Sequence, residues 1–262
     1  MEEFGGATFV GDADDVRLDP YRALRAREST DVLWAEGPTV VQRLIASRLT
    51  IRSVLLTPSA AERLADDLVG VDAPVFVAPQ AIVNEVIGFD LHRGAMAVAD
   101  RPNLATLDEV MAAPARTLVV LEGVNDPVNL GAIARSVRGL GGDALVLDPT
   151  SADPYYRRSV RVSMGEILHL PVARAPLTDA LDRLVAAGWQ VWALTPRPDA
   201  TDLRDLVRAG RPAKVALVLG AEGPGLTERV LAVHTNVRIP INPDVDSLNV
   251  GHAVTAALAL LI

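Results

Sequence analysis

Apolar positions along this chain fall into two kinds of stretch, short continuous runs and helical-period segments, and the two alternate almost from end to end. In residues 36–47 (EGPTVVQRLIAS) the apolar positions recur at the spacing of an amphipathic helix. Residues 51–56 (IRSVLL) predict a strand, 59–69 a second helix, 74–78 a strand, 80–87 a short helix and 95–99 a last strand. These elements make a small α/β domain over residues 16–100. The turn signal Asp100-Arg101-Pro102-Asn103 and the break at Pro114 mark a linker over 101–116. Five apolar strands are then expected, at 117–121, 144–147, 190–194, 215–219 and 237–241, with helical segments between most of them. Strands this continuously apolar are buried on both faces, which predicts a parallel sheet covered by helices over 117–262.

The final run, RIPINPDVDSLNVGHAVTAALALLI (238–262), passes from a strand through a polar, proline-containing loop into an almost wholly apolar helix. Chain ends fray unless something ties them down. A tail ending on Leu261-Ile262 is therefore expected to be buried, with the polar loop before it at the mouth of a core.

Composition narrows the picture. Half of the 262 residues are apolar, enough for a full core, and there is no cysteine, which excludes disulfides and thiolate metal sites. The acidic start MEEFGGATFVGDADD lacks the layout of a signal peptide, and residues 1–15 are expected to be disordered. The apolar stretch after Leu248 is interrupted by Gly251 and His252 and reads as a core helix rather than a membrane span, so a cytoplasmic protein is expected. A net charge of −8 argues against a nucleic-acid partner, but residues 16–52 carry seven arginines (17, 22, 25, 27, 43, 48, 52) against four acids. With Lys214 the single lysine, nearly all positive charge is guanidinium, the better phosphate fork. Solvated helix faces explain the same residues equally simply.

Three loops follow strand ends, where open α/β sheets place ligands. The first, LEGVNDPVNLGAIARSVRGLGG (121–142), has Asn129 as a candidate helix N-cap, Gly131 for close backbone approach, and Arg135 inside the first helical turns. An arginine on the buried side of such a helix needs an anion, either a ligand or Asp126 or Asp143 as an ion-pair partner. The second, LGAEGPGLTERV (219–230), sets Gly220, Gly223 and Gly225 around Glu222 and could cradle a phosphate or turn tightly around another ligand. The third holds Ser247 and Asn249, natural capping residues for the last helix. The four histidines, His92, His169, His234 and His252, have no metal-ligand spacing, and no metal is expected. Aromatics at 4% rule out an extended base-stacking platform; Tyr155-Tyr156 with Arg157, Arg158 and Arg161 is the one aromatic-basic cluster.

In this order and spacing the three loops resemble the SpoU (TrmH-like) branch of the SPOUT class of RNA 2′-O-ribose methyltransferases. The matching positions are Asn129, Gly131 and Arg135, then LGAEGPGL with Glu222, then Ile239-Pro240 with Ser247-Leu248-Asn249-Val250. Residues 16–99 are similar, more loosely, to the ribosomal-protein-like RNA-binding domain that precedes many of these catalytic domains, with LHRGAMAVADRP as its closing strand. One departure stands out: Ile241 replaces a methionine, and Pro243-Asp244 occupy positions where the family commonly has glycines.

The resemblance implies an α/β sheet closed by a C-terminal trefoil knot, S-adenosylmethionine held in the knot, and a homodimer. Leu194, Thr195, Gly220, Ile239 and Leu248 would bind the cofactor, and Arg135, Asn129, Glu222, Ser247 and Asn249 would form the catalytic pocket. The expected substrate is ribosomal RNA, with transfer RNA as the alternative, selected through the arginines between Arg17 and Arg52. Two rivals remain: a non-catalytic RNA- or ribosome-binding relative, and a dinucleotide-dependent oxidoreductase, which the missing glycine fingerprint after the first strand disfavours.

Overall fold

The structure, a computed structural model, describes residues 6–26, 31–112, 114–242 and 244–262, with no side chain described for 25 and 26. Arg25, Arg27 and Pro243 of the expectations above therefore lie outside the described residues or side chains, as do positions 1–5 of the N-terminus. The chain divides into two units, Met1–Pro102 with Tyr155–Leu168, and Asn103–Pro154 with His169–Ile262.

In the first unit the elements run β1 (Thr8–Phe9), α1 (Asp19–Ala26), β2 (Val32–Glu36), α2 (Pro38–Ile45), β3 (Ile51–Leu56), α3 (Pro58–Arg63), α4 (Ala65–Leu68), β4 (Val75–Val77), α5 (Gln80–Ile87) and β5 (Ala95–Asp100). The sheet order is β1-β4-β3-β5-β2, parallel at β1–β4 and β3–β4 and antiparallel on both sides of β5. The strands are short apolar runs with β-branched residues, and Leu55, Met96 and Val98 pack with Tyr21, Val83 and Ile87 of the helices into one core. Tyr21 is fully buried, its hydroxyl within 2.8 Å of Ser53 Oγ, and burial, partly offset by that hydrogen bond, drives its pKa far up.

Two expectations change here. Residues 8–9 pair with β4, and the Val10 N–H donates to Val77 O at 2.8 Å, so the described part of 1–15 is ordered into the sheet edge. The helix expected over 59–69 breaks into α3 and α4 at Leu64, whose side chain is buried while its backbone leaves the helical region. β2 is an additional strand; its VLWAE run is wholly buried, including Glu36.

The second unit contains α6 (Leu107–Ala112), β6 (Thr117–Glu122), α7 (Pro127–Gly139), β7 (Ala144–Leu147), β8 (Val172–Arg174), α9 (Leu177–Ala186), β9 (Gln190–Leu194), β10 (Thr201–Asp202), α10 (Leu203–Ala209), β11 (Val215–Gly220), α11 (Glu228–Leu231), β12 (Thr235–Arg238) and α12 (Val250–Leu261). Between β7 and β8 the chain supplies α8 (Arg157–Val162) to the first unit. The seven strands lie in the order β10-β12-β9-β11-β6-β7-β8 and every pairing is parallel. The parallel sheet is thus as expected, with β8 and β10 added at its edges. The strand expected over 237–241 stops at Arg238, because the chain turns away into the loop that follows. The expected linker over 101–116 contains α6, whose Leu107 and Val110 are buried in the unit's core. No helix among the described residues is long and apolar enough to cross a membrane.

The aromatic-basic cluster near residue 155 has a structural role. Buried Glu36 receives Arg161 at 2.8 Å and Arg157 at 3.1 Å, and the Arg157 guanidinium lies over the Phe89 ring at 4.6 Å. Arg43 pairs with Glu166 at 2.8 Å and donates to Met164 O at 2.5 Å. A carboxylate as buried as Glu36 is tolerable because two guanidinium groups meet it. Residues 155–168 therefore belong to the first unit, and the domain boundaries are not two contiguous spans.

Candidate functional site

At the carboxyl ends of β9 and β11 and beyond β12, three loops enclose a cavity of about 420 Å³. Its walls are Leu194, Leu219, Ile239, Ile241, Leu248, Val250 and Ala253, with Thr195, Glu222, Ser247 and Asn249 as the polar side chains. This volume and mostly apolar lining suit a nucleoside-sized ligand. All five residues expected to hold a cofactor, Leu194, Thr195, Gly220, Ile239 and Leu248, line it. So do Glu222, Ser247 and Asn249.

The loop after β11 explains its glycines. A Cβ on Gly220 would lie 2.1 Å from Gly225 C, 2.2 Å from Gly225 O and 2.4 Å from the Leu226 nitrogen. The loop thus folds back directly over Gly220, closed by the Gly225 N–H donating to Ala221 O at 3.0 Å. Gly223 (φ +88°) and Gly225 (φ +69°) occupy the left-handed region that this turn demands. The loop's exit is held by Glu122, which accepts from the Thr227 N–H and hydroxyl, both at 2.9 Å.

Asn249 joins the pieces. Its Oδ1 caps α12, accepting from the Gly251 N–H at 2.9 Å and the His252 N–H at 3.3 Å. Its Nδ2 donates to Asn129 Oδ1 at 3.0 Å and to Glu222 Oε1. One amide thus ties the start of α12 to α7 and to the glycine loop. Asn249, rather than Ser247, is the cap of α12. Asn129 is not a helix cap: Asp126 caps α7, accepting from the Val128 N–H at 2.8 Å, with Pro127 in the first turn. With the cap placed three residues earlier, the Asn129 side chain is free to meet Asn249. Ser136 and Thr255, hydroxyl to hydroxyl at 2.7 Å, fasten the same two helices further along.

Arg135 does not join this group. It is exposed, lines no part of the cavity, and lies six residues beyond Asn129, roughly two-thirds of a turn around α7. The expectation that it sits on the buried side is therefore corrected. Neither proposed ion-pair partner holds it either: Asp126 is the cap, and Asp143 accepts from the Arg116 and Thr117 N–H groups at 2.7 and 2.8 Å. Among the described residues Arg135 has no hydrogen bond or ion pair.

A brace in the loop after β7 escaped the sequence. The Arg174 guanidinium donates to the carbonyls of Asp148, Pro149, Ser151 and Ala152 at 2.9–3.2 Å. The Asp148 carboxylate accepts from the Gly123 N–H at 3.0 Å, the Ser151 N–H at 2.8 Å, and the Ser151 and Thr150 hydroxyls, both at 2.6 Å. Burial pushes this carboxyl up, but the hydrogen bonds from Ser151, Thr150 and Gly123 outweigh it and hold it below its ordinary pKa. The DPTS run (148–151) after an apolar strand was its one visible signal.

Residues 116–259 match the SpoU rRNA Methylase family. An uncharacterized tRNA/rRNA methyltransferase of Mycobacterium tuberculosis is 44% identical over 259 residues, covering 95% of this chain and 89% of that protein. The 23S rRNA (guanosine(2553)-2′-O)-methyltransferase RlmP of Bacillus subtilis is 27% identical over 236 residues, covering 89% of each. Among solved structures, an AdoMet-bound rRNA methyltransferase from Sinorhizobium meliloti superposes with a TM-score of 0.80 at 26% identity, covering 98% of each chain.

Proposed function

This chain belongs to the SpoU rRNA Methylase family, and we propose that it uses S-adenosylmethionine to methylate a ribose 2′-hydroxyl in structured RNA, ribosomal RNA before transfer RNA. The observation that carries the proposal is the three-loop cavity with Asn249 bonded to both Asn129 and Glu222 at its edge. The B. subtilis relative, named for 2′-O-methylation of 23S rRNA, supports the reaction and the RNA class.

The cavity fits the cofactor. Its apolar side chains suit an adenine ring, and the loop folded over Gly220 leaves backbone rather than side chain at the wall. Leu194, Thr195, Gly220, Ile239 and Leu248 would hold it, and Ile241 contributes at the position where methionine was expected. When bound, it supplies a methyl group already activated on a sulfonium centre. The protein then has mainly to position the ribose and stabilise the oxygen as it loses its proton. Arg135 serves that role as a charge. Its positive charge stabilises the developing alkoxide and orients the adjacent phosphate. Asn129, Glu222, Ser247 and Asn249 shape the pocket that receives the nucleotide.

Arg135 is exposed, lines no part of its own chain's cavity and has no ion pair among the described residues, which supports a homodimer in which it reaches the partner's site. The exposed His252, Thr255 and Leu260 of α12, with Ile262 just after it, give that dimer a surface. A trefoil knot is supported by the sheet order, with β12 inserted between β10 and β9, and by the Asn249 bond back to the glycine loop. We place the enzyme in the cytoplasm, where its RNA is. Calorimetry with S-adenosylmethionine and tritiated methyl transfer to deproteinised ribosomal and transfer RNA test the proposal together. Failure to bind the cofactor would end it.

A further inference from the structure

The first unit was expected to hold RNA through arginines between Arg17 and Arg52, but the structure has already occupied most of them. Arg17 is bound to Asp15, whose carboxyl it holds down to about 2 through that hydrogen bond, and Arg22 is bound to Asp19. Arg43 is bound to Glu166 and Arg52 to Asp100. Arg157 and Arg161 are spent on Glu36. Each would have to give up a carboxylate before gripping a phosphate. Among the described residues of this unit, Arg48, Arg63, Arg93 and Arg158 are exposed arginines with no ion pair.

Arg93 differs from the other three in its backbone. It stands at φ +69°, ψ 8°, the left-handed region that arginine disfavours because of its Cβ. The following residue, Gly94, is also left-handed, at φ +62°. The turn cannot relax by shifting, because a Cβ on Gly94 would lie 2.1 Å from Thr57 Oγ1, and the buried Thr57 donates its N–H to Gly94 O at 2.8 Å. On its other side, Gln80 Nε2 donates to Leu91 O at 3.2 Å, and the Leu91 N–H donates to Asn84 Oδ1 at 3.0 Å. The nearest acid in sequence, Asp90, is engaged by Asn84 Nδ2 at 2.7 Å. A glycine or asparagine would sit at position 93 without this strain, so the arginine is retained against a local cost.

We infer that the exposed His92–Arg93 turn is an RNA contact of the first unit, with the Arg93 guanidinium on a backbone phosphate. The locked backbone fixes where the Arg93 side chain leaves the turn, so meeting an anion costs only side-chain freedom, whereas the paired arginines must also break a bond. This inference rests on the RNA-methyltransferase reading and adds where the substrate is gripped.

The test compares the full chain with Arg93→Gly, Arg93→Lys and Arg208→Ala in filter binding to a 23S ribosomal RNA transcript over a range of salt. Arg208, paired with Asp205 on the second unit, reports the effect of net charge alone. Losing one phosphate contact should lower the slope of log affinity against log salt by about 0.7–0.9 and the affinity roughly 5- to 10-fold at 0.1 M salt. Arg93→Gly should show this loss while melting no lower than the parent, since it also relieves the strained φ. Arg93→Lys should keep most of the slope, and Arg208→Ala all of it. Unchanged binding by Arg93→Gly, or an equal loss in Arg208→Ala, would overturn the assignment and leave the proposed methyl transfer standing. A parent chain that binds and methylates no RNA would remove the function itself, and the contact with it.

Discussion

Asn249 performs two separable tasks, and substitution can divide them. Its Oδ1 caps α12, while its Nδ2 bridges Asn129 and Glu222. Asn249→Ala removes both. The lost cap costs about 1 kcal/mol. Taking the donor from the buried Asn129 Oδ1 costs about another 1–2 kcal/mol. A combined loss of roughly 2–3 kcal/mol should lower the melting temperature by about 4–12 °C for a protein of this size. Asn249→Asp keeps the acceptor that takes both N–H groups of the cap and adds a negative charge at a helix N-terminus, a gain of about 0.3–1 kcal/mol. It loses the donor, however, and sets a second carboxylate against Glu222. Two carboxylates this close share a proton, so one pKa rises. The aspartate variant should therefore melt between the parent and the alanine variant and transfer methyl groups poorly at pH 7.5, recovering in part as pH falls and the shared proton restores a donor. The assay is thermal unfolding of each variant beside tritiated methyl transfer at several pH values. Parental turnover in Asn249→Asp at pH 7.5 would refute the bridging role, and an alanine variant that melts with the parent would refute the capping estimate.

Gly220→Ala should lower S-adenosylmethionine affinity more than tenfold by calorimetry, because Gly225 must retreat by well over ~1 Å to restore ordinary contact; undiminished affinity would detach the glycine loop from the pocket. Arg135→Ala should abolish methyl transfer with cofactor affinity nearly intact, and Arg135→Lys should fail too, since an ammonium does not reproduce the planar fork. Asp148 has a folded pKa below its unfolded value, so its stabilisation is complete above the unfolded carboxylate value of about 3.9 and is lost as pH falls through the folded value. Asp148→Asn should therefore unfold more readily in urea at pH 7 but lose less of its remaining stability on acidification than the parent does; an equally steep acid limb would show that the carboxylate charge is not what holds the loop.

What was legible in the sequence was whatever the backbone itself demands. The parallel sheet announced itself through continuous apolar strands, while the glycine loop alone fitted either a phosphate cradle or a tight turn. The residues lining the cavity lie in three short runs, each next to a strand end, and they were picked out by the resemblance of those runs to the family's motifs rather than by local reading. Illegible were the pairings made over long separations. Glu36 with Arg157 and Arg161, 121 and 125 residues apart, reassigned a whole segment to the first unit. No periodicity reports which arginines are already satisfied, so the cluster between Arg17 and Arg52 looked free when most of its described members are paired. The helix carrying Arg135 was correctly expected, but its start and its buried face were not: Leu130, Ile133, Ala134 and Val137 face the core, which turns Arg135 outward. The Arg174–Asp148 brace uses residues that are unremarkable singly and meaningful only across two loops.

Methylation of a ribose hydroxyl in RNA by this cavity is tested by nucleoside mass spectrometry of deproteinised ribosomal and transfer RNA, isolated from a strain lacking the gene and incubated with the protein and deuterated S-adenosylmethionine. A labelled 2′-O-methylnucleoside is expected, confined to one RNA and absent with Arg135→Ala. Label on a base, or none in either RNA from a protein that binds the cofactor, would contradict it.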